Sequence, residues 1–417
     1  MAFGLKIWGA AASFGLSLLI ARTYGAAGSG HFGIAVTTVV ILGYIVIAGL
    51  DYTVVRIAAG DLREGKPAAA RGAIAAGARA VAIGGPLLIG ALWLVREPLA
   101  NDVMHQPVTM LGIMILAVVP LTLQRIASSA LRASNRVLWS QLVDGPLGTT
   151  LAMLVLGLLI WRGHAGTVEV PATLYVAGMV SGCVIGWLVF LRASRDWPKA
   201  TYVRAWPLVI AGLPIVASNL SNMFTEWYTT VSLGIHWPAA VVGQYRVAWQ
   251  FVGLAGLVQV AMDTIIGPRI AAAARVGAKD EIASIARKSL LLSVGLATPL
   301  FIALMAFPGP LLSVFGPEFR EGALALQILA IGQLVRLASG PLGSILIMTG
   351  NQRWVLAYAG FGVLLCIGFV ALLVPGYGTV GAAAATTATV ILRNLAAAVV
   401  VHRVLGINLF RRKQRAG

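Results

Sequence analysis

Four arginines interrupt long apolar runs in the sequence: Arg79, Arg246, Arg336 and Arg393. A guanidinium stays charged at any working pH and binds phosphate or carboxylate oxygens through paired hydrogen bonds. In lipid it is costly unless it is paired, faces a cavity or extends its head to the interface. Arg79 and Arg393 are placed to reach an interface, whereas Arg336 lies about fourteen residues, roughly 21 Å along a helix, from the outer end of its run. We therefore expect Arg336 to line a cavity that binds an anion.

Carboxylates in the same runs are the natural partners of these arginines. Counting residues from the run ends brings Glu226 level with Arg246 and Asp144 level with Arg79. Each pair is predicted as an ion pair, with a structural and a functional role both open. Glu226 and Asp144 are also the candidates for carrying a coupling proton or sodium ion, although pairing with arginine opposes protonation.

Two further aspartates, Asp51 and Asp263, lie near the inner ends of their runs. We expect them to cap a helix or to pair with Arg56 and Arg269. The two cysteines, Cys183 and Cys366, have no metal-binding spacing and are predicted core residues. The sequence offers no catalytic residue, metal site or resident cofactor as a candidate, and no Gly-rich phosphate loop that would imply nucleotide hydrolysis.

The elements that carry these charges are predicted to be membrane-spanning helices. Of 417 residues, 59% are apolar and 11% charged, and the mean hydropathy is +0.88. The apolar runs are about twenty residues long, which suits helices rather than the shorter alternating strands of a barrel. Because no connection exceeds roughly twenty residues, a separate extramembrane catalytic domain has no room.

Twelve apolar runs alternate with charged connections. They fall near 5–21, 32–50, 72–94, 107–131, 138–161, 172–191, 205–233, 239–265, 287–312, 322–349, 354–374 and 378–402. Most Lys and Arg lie in every second connection, near 56–71, 125–136, 192–204, 269–288 and 353, and in the tail with Arg411, Arg412, Lys413 and Arg415. The positive-inside rule places these segments, and both termini, in the cytoplasm, and accounts for the net charge of +17 without nucleic acid as a partner.

An internal repeat relates the two halves of the chain. GHFGIA at 30–35 corresponds to GQYRVA at 243–248, an offset that also superposes Arg56 on Arg269 and Lys66 on Lys279. We predict a six-helix half at 1–195, a cytoplasmic linker at 196–204, a second half at 205–404 and a basic tail at 405–417. The same offset leaves residues 205–213 without a counterpart, so either the seventh span is unusually long or the chain begins upstream of Met1.

Halves repeated after six spans enter the membrane in the same direction and are related by an axis along the membrane normal. The predicted fold is all-α: a polytopic membrane protein with twelve transmembrane helices in two pseudo-symmetric six-helix bundles around a central cavity. Rocking of one half against the other would open that cavity to each side in turn.

Four segments carry a family resemblance that covers essentially the whole chain. They are LIARTYGAAGSGHFGIA (19–35), GLDYTVVR (49–56), the block from FGPEF to GNQR (315–353) and GTVGAAAATTATVILRN (378–394). Together they resemble the polysaccharide transporter branch, the Wzx-like oligosaccharide flippases, of the multidrug/oligosaccharidyl-lipid/polysaccharide exporter superfamily. The 315–353 block is the most specific part.

The resemblance implies a flippase of the bacterial inner membrane that moves undecaprenyl-pyrophosphate-linked repeat units for O-antigen, capsule or exopolysaccharide synthesis. It implies basic cavity residues, which we place on Arg336, Arg246, Arg79 and Arg22. It also implies coupling to a proton or sodium gradient and a place beside polysaccharide polymerases. The alternatives are a cation-coupled multidrug antiporter of the same superfamily, for which a more acidic or apolar cavity is expected, and a membrane-embedded polysaccharide-assembly enzyme.

Overall fold

The computed structural model describes residues 2–406, and within that range it contains helices and no strand. Helices are what lipid requires, because every backbone N–H and C=O must find its partner inside the segment. The prediction of an all-α polytopic fold is confirmed. The arginines and lysine of the predicted basic tail lie outside the described residues.

Two compact units make up the chain, a first unit at Met1–Gly243 and a second unit at Gln244–Gly417. The helices of the first unit are α1 (Ala2–Ile47), α2 (Leu50–Arg63), α3 (Pro67–Leu94), α4 (Arg96–Pro98), a π-helical turn (Leu99–Met104), α5 (Val108–Ile115), α6 (Val118–Ala133), α7 (Val137–Val143), α8 (Pro146–Trp161), α9 (Glu169–Ala193) and α10 (Ala205–His236). Those that follow are α11 (Ala239–Arg275), α12 (Lys279–Ala306), α13 (Pro308–Ser313), a 3-10 turn (Pro317–Gly322), α14 (Ala323–Ala338), α15 (Leu342–Met348) and α16 (Gln352–Leu405). The predicted division at residues 196–204 stays a prediction, and α10 packs with the first unit.

The number of spans follows from helix length and from two sharp breaks. In the described residues, eight helical segments are long and apolar enough to cross a membrane, and the bent pair α7 and α8 makes a ninth. Two of these segments are far longer than the roughly 30 Å hydrocarbon layer needs, and each contains a non-helical glycine, Gly25 in α1 and Gly378 in α16. Dividing them there, and adding the 32-residue α10, gives twelve spans.

The turn at Gly25 differs from the predicted loop at 22–31. Gly25 has φ 68° and ψ −170°, a backbone conformation open to glycine alone, and helix resumes immediately on both sides. Three residues on, a Cβ at Gly28 would lie 2.5 Å from the Cβ of Tyr24. Tyr377, Gly378 and Gly381 repeat the same Tyr-Gly-x-x-Gly spacing at the break in α16. A tight turn built on glycine therefore replaces a loop.

Apolar side chains fill the interior of each unit. In the first unit the main core joins α1, α5, α6, α8 and α9, with Ile20, Met110 and Leu156 among its most buried members. In the second unit a core around Ile270, Ile345 and Leu346 joins α11, α12, α15 and α16. These cores fix the rotation of the helices that carry the charged groups.

A reciprocal glycine contact supports the internal repeat. Gly30 packs against the backbone of Ala239, where an added Cβ would lie 1.8 Å from the carbonyl oxygen. Gly243 packs against Ala26 in the same way, at 2.0 Å. The repeat that superposes Gly30 on Gly243 also superposes Ala26 on Ala239, so each partner is the repeat equivalent of the other. This contact lies within the first unit and has the form expected at a pseudo-two-fold axis.

Candidate functional site

Arg336 lies in the last turn of α14, where the helix ends. The chain breaks at Gly340, which has φ 74°, and Pro341 before α15 begins. The apolar run predicted near 322–349 is found as one candidate span, Pro317–Met348, but its helix is interrupted, because Gly340 and Pro341 cannot continue α14. Cations are stabilised at a helix C-terminus, where the last carbonyls lack partners. The position at the C-terminus of α14 therefore lowers part of the free-energy cost of placing this charged side chain in a membrane.

Asp263, on α11, is held by neutral donors. Ser344 Oγ donates to its Oδ1 at 3.0 Å, and Gln259 Nε2 lies 3.5 and 3.4 Å from its two carboxylate oxygens. Arg336 lies within electrostatic range of this carboxylate, yet in the described part of the chain it forms no hydrogen bond or ion pair. The prediction that Asp263 pairs with Arg269 is wrong, because the partners of Asp263 are Gln259 on the preceding turn of α11, Ser344 on α15 and, within electrostatic range, Arg336 on α14.

Tyr358 and Arg393, both on α16, complete the second-unit cluster. Arg336 and Tyr358 interact electrostatically, and so do Arg336 and Arg393. Two glycines leave space for these side chains: Gly343 beside the Tyr358 hydroxyl and Gly362 beside the Arg393 stem. The cluster therefore places two guanidiniums and one carboxylate within spans of one unit, an excess of one positive charge.

The first unit holds a second charged cluster. Arg125 on α6 stacks over the Tyr44 ring, with its Cζ 4.2 Å from the ring centroid. Asp144, at the α7–α8 junction, pairs with Arg132 at 3.5 Å, and both side chains remain about 40% exposed. Asp51 and Lys6 lie within electrostatic range of Asp144. Here three cations lie near two carboxylates, which is again an excess of one positive charge.

Arg79 does not pair with Asp144, so that prediction is wrong. Its guanidinium donates to the Ala75 and Val203 carbonyls at 3.3 and 3.2 Å and lies 5.1 Å from the centroid of the Tyr202 ring. Tyr202 belongs to the linker before α10, so Arg79 reaches the end of its span as the snorkelling alternative predicts. Counting residues from the run ends did not predict the partner of Arg79, because such a count ignores the rotation of each helix about its own axis.

The prediction that Asp51 pairs with Arg56 is also wrong. Asp51 lies in the first turn of α2, where its Oδ1 accepts a hydrogen bond from the Tyr52 backbone N–H at 3.1 Å. Its electrostatic neighbours are Arg125 and Arg132 of α6. The prediction that Asp51 lies at a helix end is confirmed, and the prediction that Arg56 is its partner is not.

The remaining candidates lie on three helices: Arg22 on α1, Glu226 on α10 and Arg246 on α11. Glu226 belongs to the first unit and Arg246 to the second, so their ion pair stays a prediction. Sequence reasoning missed Arg125, Tyr44 and Tyr358. The charge pattern places Arg125 in a connection, but the apolar run continues past it and α6 ends only at Ala133.

Known proteins similar to this chain are transporters. Residues 214–373 match the MatE family model. Two curated relatives come from Haloferax volcanii. The chain is 25% identical to the probable low-salt glycan biosynthesis flippase Agl15 over 58% of its own length and 52% of that protein. It is 27% identical to the probable flippase AglR over 66% of its length and 57% of that protein. The matches span about half the length of these relatives.

Solved structures agree on the fold over nearly the entire chain. An inward-facing multidrug resistance MATE family transporter of the MOP superfamily superposes with a TM-score of 0.81 at 12% identity, covering 95% of this chain and 94% of that one. The lipid II flippase MurJ in an inward closed conformation superposes with a TM-score of 0.75 at 15% identity, covering 96% and 87%. The relatives are transporters and flippases, not enzymes. The chain thus matches the MatE family over residues 214–373 and has the fold of the MOP-superfamily transporters.

Proposed function

We propose that this protein is a flippase that translocates undecaprenyl-pyrophosphate-linked oligosaccharide repeat units across the bacterial inner membrane by alternating access. Its product would enter O-antigen, capsule or exopolysaccharide synthesis beside a polysaccharide polymerase. Both termini would be cytoplasmic, and a proton or sodium gradient would drive the cycle.

The observation that carries the proposal is the excess of guanidinium over carboxylate inside the spans of the second unit. Arg336 lies within electrostatic range of Asp263, whose hydrogen bonds come from Ser344 and Gln259, and a second guanidinium, that of Arg393, lies within electrostatic range of Arg336. A buried positive charge in a membrane is costly until an anion neutralises it. A pyrophosphate-linked lipid supplies that charge, whereas a cationic drug adds to the repulsion.

The names of the relatives support the same substrate class. One is described as a glycan biosynthesis flippase, a second as a probable flippase and a third as a lipid II flippase. Because a multidrug resistance MATE transporter has the same fold, multidrug antiport is the alternative function.

Transport by the purified protein in proteoliposomes tests the proposal. A defined lipid-linked oligosaccharide should move between leaflets faster than in protein-free vesicles, and imposing a proton or sodium gradient should change the rate. A cationic dye assayed in the same vesicles provides the comparison. Movement of the dye without movement of the glycolipid would instead identify a multidrug antiporter.

A further inference from the structure

We propose that the linker at 196–204 and the adjoining face of α3 form a binding surface for an anionic phospholipid, whose headgroup phosphate is bound by Arg79 and Arg204. The rings of Tyr202 and Trp206 flank this surface at the level of the headgroups. The ligand is a bulk lipid of the membrane, such as phosphatidylglycerol, and not the transported molecule. The inference does not depend on the proposed function.

The linker is held against α3 by close contacts. The Thr201 backbone N–H donates to the Ala68 carbonyl at 3.0 Å. Gly72 lies so close to the same linker residue that an added Cβ would be 2.1 Å from the Thr201 carbonyl oxygen. Arg71, also on α3, donates to the Trp197 carbonyl at 2.9 Å. The backbone of the linker therefore has a fixed course along α3 before any ligand binds.

Arg79 lies against the backbone of the residue that carries the second guanidinium. Its Nη2 donates at 3.2 Å to the Val203 carbonyl, which belongs to the peptide bond that joins Val203 to Arg204. Its Nε donates to the Ala75 carbonyl at 3.3 Å. A guanidinium has more N–H groups than these two carbonyls use, and Arg79 is exposed. N–H groups of Arg79 therefore remain for a ligand.

The side chain of Arg204 is also open to a ligand. It is exposed, and within residues 2–406 it makes no hydrogen bond or ion pair. Paired N–H groups of a guanidinium match phosphate oxygens, and one phosphate has enough oxygens for two guanidiniums. Arg79 and Arg204 thus supply donors from two elements whose relative position the linker contacts fix.

Two exposed rings place this surface at the membrane interface. Tyr202 is 74% exposed and Trp206 is 69% exposed, and the Arg79 Cζ lies 5.1 Å from the centroid of the Tyr202 ring. Tyr and Trp are enriched at membrane–water interfaces, where their amphipathic rings lie at the depth of the headgroups. Because α10 begins at Ala205, the two rings flank the point where this span enters the membrane. A phospholipid supplies a phosphate at that depth.

The charge of the segment selects the class of lipid. The linker and the residue before it contain Arg195, Lys199 and Arg204 against the one carboxylate of Asp196. Basic segments beside a span are attracted to leaflets that contain anionic lipid. A zwitterionic headgroup brings its own cation and gains less from this surface. The surplus of basic residues therefore favours an anionic headgroup.

Native mass spectrometry of the full-length protein in detergent, titrated with phosphatidylglycerol or phosphatidylcholine, measures the bound lipid directly. Wild type should retain phosphatidylglycerol more tightly than phosphatidylcholine. Arg79→Gln and Arg204→Gln should each weaken the tightest phosphatidylglycerol binding about fivefold, as expected for the loss of one basic residue at an anionic membrane surface. Arg353→Gln is the matched control: this exposed arginine also lies near an aromatic ring, 6.0 Å from that of Trp354, and the variant should bind as wild type.

Arg204→Gln keeps the inference testable if Arg79→Gln fails to fold, because the Arg204 side chain does not hold the linker. Wild-type phosphatidylglycerol binding by folded Arg204→Gln would overturn the inference, and so would equal retention of the two lipids by wild type. An equal loss in Arg353→Gln would show a general effect of charge and no defined surface. Displacement of the lipid by an equal concentration of glycerol phosphate would assign the two arginines to a soluble anion and overturn the lipid.

Discussion

At the scale of single residues, the sequence reveals which charges lie in the membrane but not which charges meet. Arg336 was identified from its depth alone, and the structure places it in an apolar span as expected. Its neighbours Tyr358 and Arg393 lie on α16, which begins at Gln352. No spacing in the sequence predicts that these two residues lie close to α14. Partner choice depends on helix rotation, which the packed cores set.

Replacing Arg336 with Ala should reduce glycolipid transport in proteoliposomes strongly while protein abundance in the membrane stays near wild type. The reason is that truncation removes the cation that we propose to bind the substrate but relieves, rather than creates, a charge excess. Arg336→Lys should restore only part of the rate, because an ammonium cannot make paired contacts to phosphate. Arg353→Ala controls for loss of an arginine as such. A variant that is merely degraded would point to a structural role for Arg336.

At the scale of elements, the apolar runs predicted the spans well because length and hydropathy are local properties. The breaks were harder to predict. Nothing in the hydropathy of residues 22–31 distinguishes a loop from a glycine turn, yet Gly25 alone makes the turn. Likewise, the run at 322–349 conceals the end of α14, although Gly340 and Pro341 were visible as helix-breaking residues.

The Gly25 turn should tolerate no side chain. Gly25→Ala would force an L-residue to φ 68° with ψ −170°, at a cost of about 1–3 kcal/mol. Thermal unfolding of the purified protein in detergent should show the loss. Gly4→Ala is the control on the same helix, since a Cβ there meets no atom within 4 Å. Equal melting temperatures for the two variants would contradict the turn geometry.

At the scale of the whole molecule, charge in the connections and the sequence repeat are the two global features that the sequence makes visible. The first predicts orientation. With both native cysteines replaced, Lys199→Cys should be shielded from a membrane-impermeant maleimide in intact cells, and His164→Cys should be labelled, because Arg and Lys concentrate in the connection that holds Lys199. Both positions are exposed in the structure. Labelling of Lys199→Cys before permeabilisation would invert the topology.

The sequence repeat coincides with a close backbone contact in the structure. Gly30 and Gly243 are repeat equivalents, and each packs against the backbone beside the other, where no side chain can move aside. Gly243→Ala should therefore push the segments around Ala26 and Ala239 apart and destabilise the protein by roughly 1–3 kcal/mol, the usual cost of overpacking. Gly253→Ala, on the same helix with nothing within 4 Å of its added Cβ, should be neutral or slightly stabilising, because alanine is the better helix former.

Combining both substitutions distinguishes one shared contact from two separate ones. If Gly30 and Gly243 form a single reciprocal contact, the first alanine already separates the backbones, and the second costs less than it does alone. The Gly30→Ala/Gly243→Ala double variant should therefore lose less stability than the two single losses added together, measured by thermal unfolding in one detergent. Additive losses would mean that the two glycines act independently, and single variants that melt like Gly253→Ala would mean that the close approach does not exist. A shared contact would tie the two sequence repeats together through backbone at equivalent positions, which explains why both positions carry glycine in a segment where the surrounding residues differ.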